Sequence, residues 1–197
     1  MIEIKHLSVT LGEKRVFNDY SLTIPDQGTV LISGESGIGK TTLLRVLCGL
    51  IKPNGGTVEG LKGRRISFVF QEPRLLDRLT ALENVALVSD TETATGILTE
   101  LNMENELHVR AGSLSGGQKQ RVSLARAYAF SRDVVLLDEP FTGLDEENKQ
   151  KAIQLIRTAR LVIVVSHDPK TQNCSQRTKI FSFDLHFFRI CGMIPYQ

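Results

Sequence analysis

The chain has 197 residues, 41% hydrophobic and 23% charged, which fits one globular domain with a sizeable core and room for a small inserted lobe. Its formal net charge of +2 is too near neutral to imply, from charge alone, a nucleic-acid or acidic-lipid partner. No apolar run approaches the ~18 residues needed to span a bilayer. The three cysteines, Cys48, Cys174 and Cys191, are far apart and lack metal-ligand spacing, so they read as free thiols of a reducing, cytoplasmic compartment.

Residues 2–32 read as β structure. Met1 to His6 alternates like a strand and lacks a signal-peptide core. Val16, Asn18, Tyr20, Leu22 and Ile24 alternate with Phe17, Asp19, Ser21 and Thr23, the pattern of a half-buried strand. Gly12-Glu13-Lys14 is the expected hairpin turn, and Pro25 to Gly28 ends the segment. Thr29 to Ser33 is a short buried strand. The apolar spacing from Leu43 to Leu50 is helical, and Pro53-Asn54-Gly55-Gly56 is expected to stop that helix. Thr57-Val58-Glu59 and Ile66 to Phe70 are further strands. From Glu72 the character changes. Leu75, Leu76, Leu79, Leu82, Val85, Ala86 and Leu87 fit one or two helices, and Gly96 to Leu101 fits another, with a polar break from Ser89 to Thr95 between them. With a helix from Ser115 to about Phe130, these residues make a helical lobe, about 72–130, inserted into an α/β core. Val134 to Leu137 is a strand. Asp145 caps a further helix, with Glu146 and Glu147 in its first turn and Arg157 and Arg160 in its last, as the helix dipole favours. Leu161 to Val165 is continuously apolar and β-branched, hence a central strand buried on both faces.

The run Gly34-Glu35-Ser36-Gly37-Ile38-Gly39-Lys40-Thr41-Thr42 lies between a strand and a helix, where G-x-x-x-x-G-K-T signifies a phosphate cradle. Its three glycines let the backbone curl so that N–H groups point inward as an anion nest. The helix N-terminus adds unpaired N–H groups and partial positive charge. Lys40 can reach the β- and γ-phosphates, and the Thr41 hydroxyl can ligate Mg²⁺. Asp138, at the carboxyl end of a buried strand, sits where open α/β sheets bind ligands and can hold Mg²⁺ opposite Thr41. Glu139, one residue on, can accept a proton from an attacking water. Together these residues describe a nucleoside triphosphate site.

Leu114-Ser115-Gly116-Gly117-Gln118-Lys119-Gln120-Arg121 opens another helix, with Ser115 as N-cap. It reads either as a capped helix start and nothing more, or as a second phosphate-binding helix end whose glycines bare their N–H groups. Two such ends far apart in sequence need not face one nucleotide within a monomer. A two-fold dimer brings each chain's second end to its partner's first.

In chain order, Gly34 to Thr42, Gln71, Leu114-Ser115-Gly116-Gly117-Gln118, Leu136-Leu137-Asp138-Glu139, Gly143-Leu144-Asp145 and His167 resemble the ATP-binding cassette (ABC) ATPases, over residues 1 to about 170. The resemblance implies an α/β P-loop NTPase core with a mainly parallel sheet, an N-terminal antiparallel β subdomain and a short inserted helical subdomain. It implies one domain over 1–180, followed by an atypical tail over 181–197. ATP and Mg²⁺ are the implied cofactors, with phosphate contacts from Gly34 to Thr42 and metal contacts from Thr41, Gln71 and Asp138. Glu139 resembles the general base, Gln71 the glutamine that touches metal and attacking water while linking lobe to core, and His167 the switch histidine at the γ-phosphate. Ser115, Gly116, Gly117 and Gln118 resemble the signature that closes the partner's site. Asp145 resembles the aspartate that communicates across the dimer, and reads equally well as a helix cap.

The implied function is the hydrolysing motor of a membrane transporter. Its implied partners are a second copy or a paired ABC ATPase subunit, separate transmembrane permease subunits, and an external substrate-binding protein if the transporter is an importer, with no nucleic acid. The implied location is cytoplasmic, peripheral on the inner face of the membrane. Ser67 to Leu76 looks most like importers of small nutrients. The alternative is a soluble ABC ATPase acting on ribosomes or DNA; such proteins generally carry tandem cassettes or coiled-coil insertions, whereas this chain has one cassette and no heptads. The family usually has an aromatic near residue 11 to stack on adenine. Leu11 stands here and offers no π-stacking. The tail is rich in aromatics (Phe181, Phe183, Phe187, Phe188, Tyr196), and Lys179 to Asp184 fits a final strand.

Overall fold

The computed structural model describes residues 1–166 and the strand at 178–183. His167, Cys174, Cys191 and the tail beyond Phe183 lie outside the described residues. Strands β1 (Ile2–Leu11), β2 (Lys14–Ile24) and β4 (Gly55–Glu59) form an antiparallel sheet in the order β2-β1-β4. Strands β3 (Gly28–Gly34), β5 (Ile66–Val69), β6 (Val134–Asp138), β7 (Leu161–Val165) and β8 (Thr178–Phe183) form a parallel sheet in the order β5-β6-β7-β3-β8. The expected α/β architecture is therefore present, and Leu161 to Val165 is the middle strand.

The continuous apolar runs of β6 and β7 have a plain cause. Val135, Leu137, Val162 and Val164 enter a core under the helical lobe, while Val134, Leu136, Leu161, Ile163 and Val165 enter a second core under the antiparallel sheet. Successive side chains point to opposite faces, so a strand buried on both cannot alternate with polar residues. The parallel register pairs Asp138 with Val165, which sets the first carboxylate at the edge where the buried strands end.

Local structure departs from the sequence reading in five places, each with a physical reason. Phe17 is buried at 4% exposure, although alternation put it on the open face. Asp19 (φ 57) and His6 (φ 52) form a bulge between the two strands that shifts the pairing from Leu7↔Tyr20 to Val9↔Phe17 and so changes which residues face inward. Helix α1 (Lys40–Leu47) ends before Leu50 rather than at Pro53. Gly49 (φ 76) turns the chain, and the N–H groups of Gly49 and Leu50 close on the carbonyls of Val46 and Arg45 at 3.0 and 2.8 Å, a Schellman end.

In the lobe, α2 (Ala81–Ala86) starts after Leu75, Leu76 and Leu79, because Thr80 and Glu83 make a capping box there. The leucines before it lie in a loop held by the fully buried Asn84, whose carboxamide bonds Leu76 N, Leu76 O and Thr80 O at 2.9–3.1 Å. The segment read as a polar break is mostly helix. Asp90 caps α3 (Thr91–Glu100), whose threonines face solvent while Ala94, Ile97 and Leu98 are buried. Lastly, α5 (Glu146–Ile156) stops one turn short of Arg160. Arg160 instead pairs with Asp26 at the foot of β7. Helix α4 (Gly116–Phe130) runs as the sequence predicts.

Candidate functional site

One cavity of about 340 Å³ opens where the parallel strands end, lined by Leu11, Lys14 and Val16 on one side and by Gln71, Asp138, Glu139 and Val165 on the other. Ser36, Gly37, Gly39, Lys40, Thr41 and Thr42 form its floor. The loop curls through glycines in backbone regions that other residues rarely adopt: Gly37 has φ 80 and Gly39 φ 118. Gly39 is also sterically required. An added Cβ would come within 2.7 Å of Val16 Cγ1 and 3.0 Å of Phe17 Cζ, so the loop rests directly on the β1–β2 hairpin.

Lys40 is 7% exposed, and its Nζ donates to the carbonyls of Gly34 and Glu35 at 2.7 and 2.8 Å. The ammonium is thereby held at the cradle by two peptide carbonyls, within electrostatic reach of the Asp138 carboxylate. Ile38 is half-buried, and Glu35 is exposed on the outer side of the loop. Helix α1 begins at Gly39 with no side-chain cap, which leaves the first N–H groups of the helix open to an anion.

Thr41 Oγ1 donates to Asp138 Oδ1 at 3.0 Å, joining helix start to strand end across the cavity. Burial pushes the Asp138 carboxyl above its ordinary range; the Glu139 charge adds to this, while the Thr41 hydroxyl opposes it. A carboxylate that is costly to ionise alone is relieved by a cation, and the hydroxyl and carboxylate oxygens present suit a hard ion such as Mg²⁺. Among the described residues, no three His, Cys, Asp or Glu side chains cluster as a metal site. A cation held here would draw further ligands from phosphates and water.

Glu139 has φ 50, a left-handed backbone that costs a non-glycine residue roughly 1–2 kcal/mol. Its N–H donates to Val165 O at 2.9 Å, which pins the turn to β7. Gln71 lies just past the end of β5 and is exposed on the cavity rim.

Ser115, Gly116, Gly117, Gln118 and Asp145 do not line this cavity. Ser115 Oγ accepts from Gln118 N at 3.3 Å, and Gln118 Oε1 accepts from Ser115 N at 2.9 Å, a complete capping box. Gln118 Nε2 also donates to Glu106 at 3.1 Å. Gly116 has open space where a side chain would go, whereas an added Cβ on Gly117 would meet Gly143 O at 2.4 Å. Gly117 thus answers to packing within the chain as well as to any ligand. Asp145 caps α5, accepting from Asn148 N at 2.8 Å and Asn148 Nδ2 at 2.9 Å, bonds that lower its carboxyl pKa.

Three lining residues went unnoticed in the sequence: Lys14, Val16 and Val165. Lys14 Nζ donates to Gly37 O at 3.3 Å, a second cation at the loop. Nothing local marks it, since its position depends on the hairpin folding against a loop more than twenty residues away.

A glycine-walled loop between strand and helix, with a carboxylate at the end of β6 one strand away across β7, defines a P-loop α/β protein with a nucleoside-triphosphate site. The profile of the family described as "ABC transporter" matches residues 17–142, and the chain belongs to that family. The arginine transport ATP-binding protein ArtM of Bacillus subtilis is 34% identical over 195 residues, covering 85% of this chain and 81% of that protein. The sulfate/thiosulfate import ATP-binding protein CysA of Yersinia pestis is 36% identical over 178 residues, and the chain spans about half (49%) of its length. The macrolide export ATP-binding/permease protein MacB of Campylobacter jejuni is 31% identical over 198 residues, of which the chain spans 31%. Among solved structures, a dimer of the ATP-binding cassette MJ0796 in a post-hydrolysis state with ADP and Pi superposes with a TM-score of 0.85 at 28% identity, over 98% of this chain and 100% of that one. Among the described residues of this chain, no helix is long and apolar enough to cross a membrane.

Proposed function

We propose that the chain is the ATP-hydrolysing motor subunit of an ABC membrane transporter. Two copies, or one copy and a paired subunit, close head to tail around two Mg-ATP and drive separate transmembrane permease subunits at the inner face of the membrane. An external substrate-binding protein joins the assembly if it is an importer. One observation carries this reading. Lys40, Thr41, Gln71, Asp138 and Glu139 converge on one cavity, while the Ser115 helix start lies outside it. A site so divided is completed by a second copy. The dimeric cassette MJ0796 supports this arrangement, and relatives named for import and for export support transport without fixing its direction.

In this reading the loop N–H groups and Lys40 hold the triphosphate. Thr41 and Asp138 hold Mg²⁺ with Gln71, and the metal, when bound, neutralises charge on the phosphate oxygens. Glu139 takes the proton of the attacking water. Asp145 lies beside the Ser115 helix start and bears on the partner. His167 is assigned to the γ-phosphate by resemblance to the family.

Glu139→Gln tests the assignment. It is expected to keep ATP binding, to slow hydrolysis by roughly 10²–10⁴-fold, and to accumulate an ATP-dependent dimer on size-exclusion chromatography. Unchanged turnover would remove Glu139 from its role, and a strictly monomeric variant in ATP would remove the shared site.

A further inference from the structure

We propose that Gln120 is a positioning residue for Glu139: it fastens the start of α4, the helix end offered to a partner's nucleotide, to the turn that carries the base of its own site. This rests on the hydrolase reading above. Gln120 is 2% exposed, and its Nε2 donates to the carbonyl of Pro140, the residue after Glu139, at 3.2 Å. The Glu139 turn is therefore held twice. Its entry is bonded to Val165 O of β7 at 2.9 Å, and its exit to the carboxamide of α4.

Two neighbours in α4 reinforce the fastening. The Gly117 backbone presses on Gly143, leaving 2.4 Å between a virtual Cβ and the Gly143 carbonyl oxygen. Arg121, 9% exposed, donates from Nη1 to Leu101 O, Asn102 O and Asn148 Oδ1 at 2.9, 2.7 and 3.0 Å. Asn148 is the residue capped by Asp145. Residues 120, 117 and 121 thus grip the segment 139–148 at its beginning, middle and end respectively. Left-handed backbone at Glu139 (φ 50) relaxes when its neighbours let go, and the carboxylate then leaves the position from which it can take a proton. The grip maintains the side-chain geometry needed for chemistry and is not itself in contact with nucleotide.

The test is steady-state ATP hydrolysis by the whole chain carrying Gln120→Leu or Gln120→Glu. Leucine fills the space and cannot donate. It is expected to lower kcat roughly tenfold while KM for ATP stays within about twofold, because only the transition state needs Glu139 aligned. Glutamate donates to Pro140 O when protonated and repels it when ionised. The ratio of variant to wild-type kcat is therefore expected to climb several-fold as pH falls from about 8 to about 6. A residue serving packing alone gives no such climb. The glutamate variant also carries the test by itself if the leucine variant does not fold. The proposal is overturned by a leucine variant with kcat within about twofold of wild type, by a KM rise matching the fall in kcat, or by a flat glutamate ratio. A wild-type chain that hydrolyses no ATP would overturn the underlying hydrolase reading instead.

Discussion

Two helix starts in this chain look alike in sequence and are built in opposite ways. Helix α1 begins at Gly39, left-handed at φ 118, and among the described residues no side chain caps its first N–H groups. Helix α4 begins at Ser115, whose hydroxyl and the Gln118 carboxamide already satisfy two donors, leaving the cap with no acceptor for the N–H groups of Gly116 and Gly117. The first is an anion site in its own right, because the donors, the Lys40 ammonium and the Thr41–Asp138 pair converge there. The second is a finished helix end on the surface, which in the proposed reading closes a site supplied by another molecule. Glycine serves openness in the first case. At Gly117 it serves close packing on Gly143.

The comparison breaks first at Lys40. Lys40→Ala removes the buried cation and its two loop bonds, and is expected to weaken nucleotide binding at least about 100-fold, near 3 kcal/mol for a charge-assisted contact with phosphate. Titration calorimetry reads this directly. Binding reduced less than about tenfold would shift the main electrostatic role to Lys14, the other cation at the loop.

Gly116→Glu strikes the second helix start alone. A Cβ added at Gly116 would have no neighbouring atom within 4 Å, so the fold should tolerate the change. A carboxylate set before a partner's phosphates should lower hydrolysis about 100-fold through like-charge repulsion, while the monomer's nucleotide affinity stays within about threefold. Equal losses of binding and hydrolysis would mean that α4 contributes to its own chain's site, and the contrast between the two starts would fall.

Legibility in the sequence follows the same division. The loop, its strand and its helix could be read because the motif is contiguous and its chemistry is local. Asp138 and Glu139 could be read because four apolar residues fix where a buried strand ends. The middle position of β7 was legible because a strand buried on both faces has a composition of its own. What was not legible depended on contacts between distant segments. The bulge at His6 and Asp19 turns Phe17 inward through pairing geometry, and alternation within one strand cannot carry that information. The loop before α2 looks helical by its leucines, yet it is held open by the buried carboxamide of Asn84. Threonines hid the start of α3, because their polarity reads as a break until the Asp90 cap is recognised. Gln120 sits inside a recognisable motif and still gave no sign of its target, since Pro140 is twenty residues away.

The smallest expected effect lies at the hairpin wall. Leu11 is 41% exposed and lines the cavity beside Val16 and Lys14, so the wall left for a nucleoside is aliphatic with one cation. An aliphatic wall contacts any base with similar energy, and Lys14, bonded to Gly37 O at 3.3 Å, lies near enough to the loop to act on phosphate charge instead. ATP, GTP and CTP should therefore bind within about threefold of one another, because among the described residues no ring lines the cavity to distinguish their π-faces. Leu11→Tyr supplies such a ring. Stacking worth about 0.5–1.5 kcal/mol should tighten ATP by about 2- to 12-fold and favour purines over CTP. Competition binding against a fluorescent nucleotide measures both. If the wild-type chain already prefers ATP by more than about tenfold, some group other than this wall reads the base, and the tyrosine should then add affinity without adding selectivity.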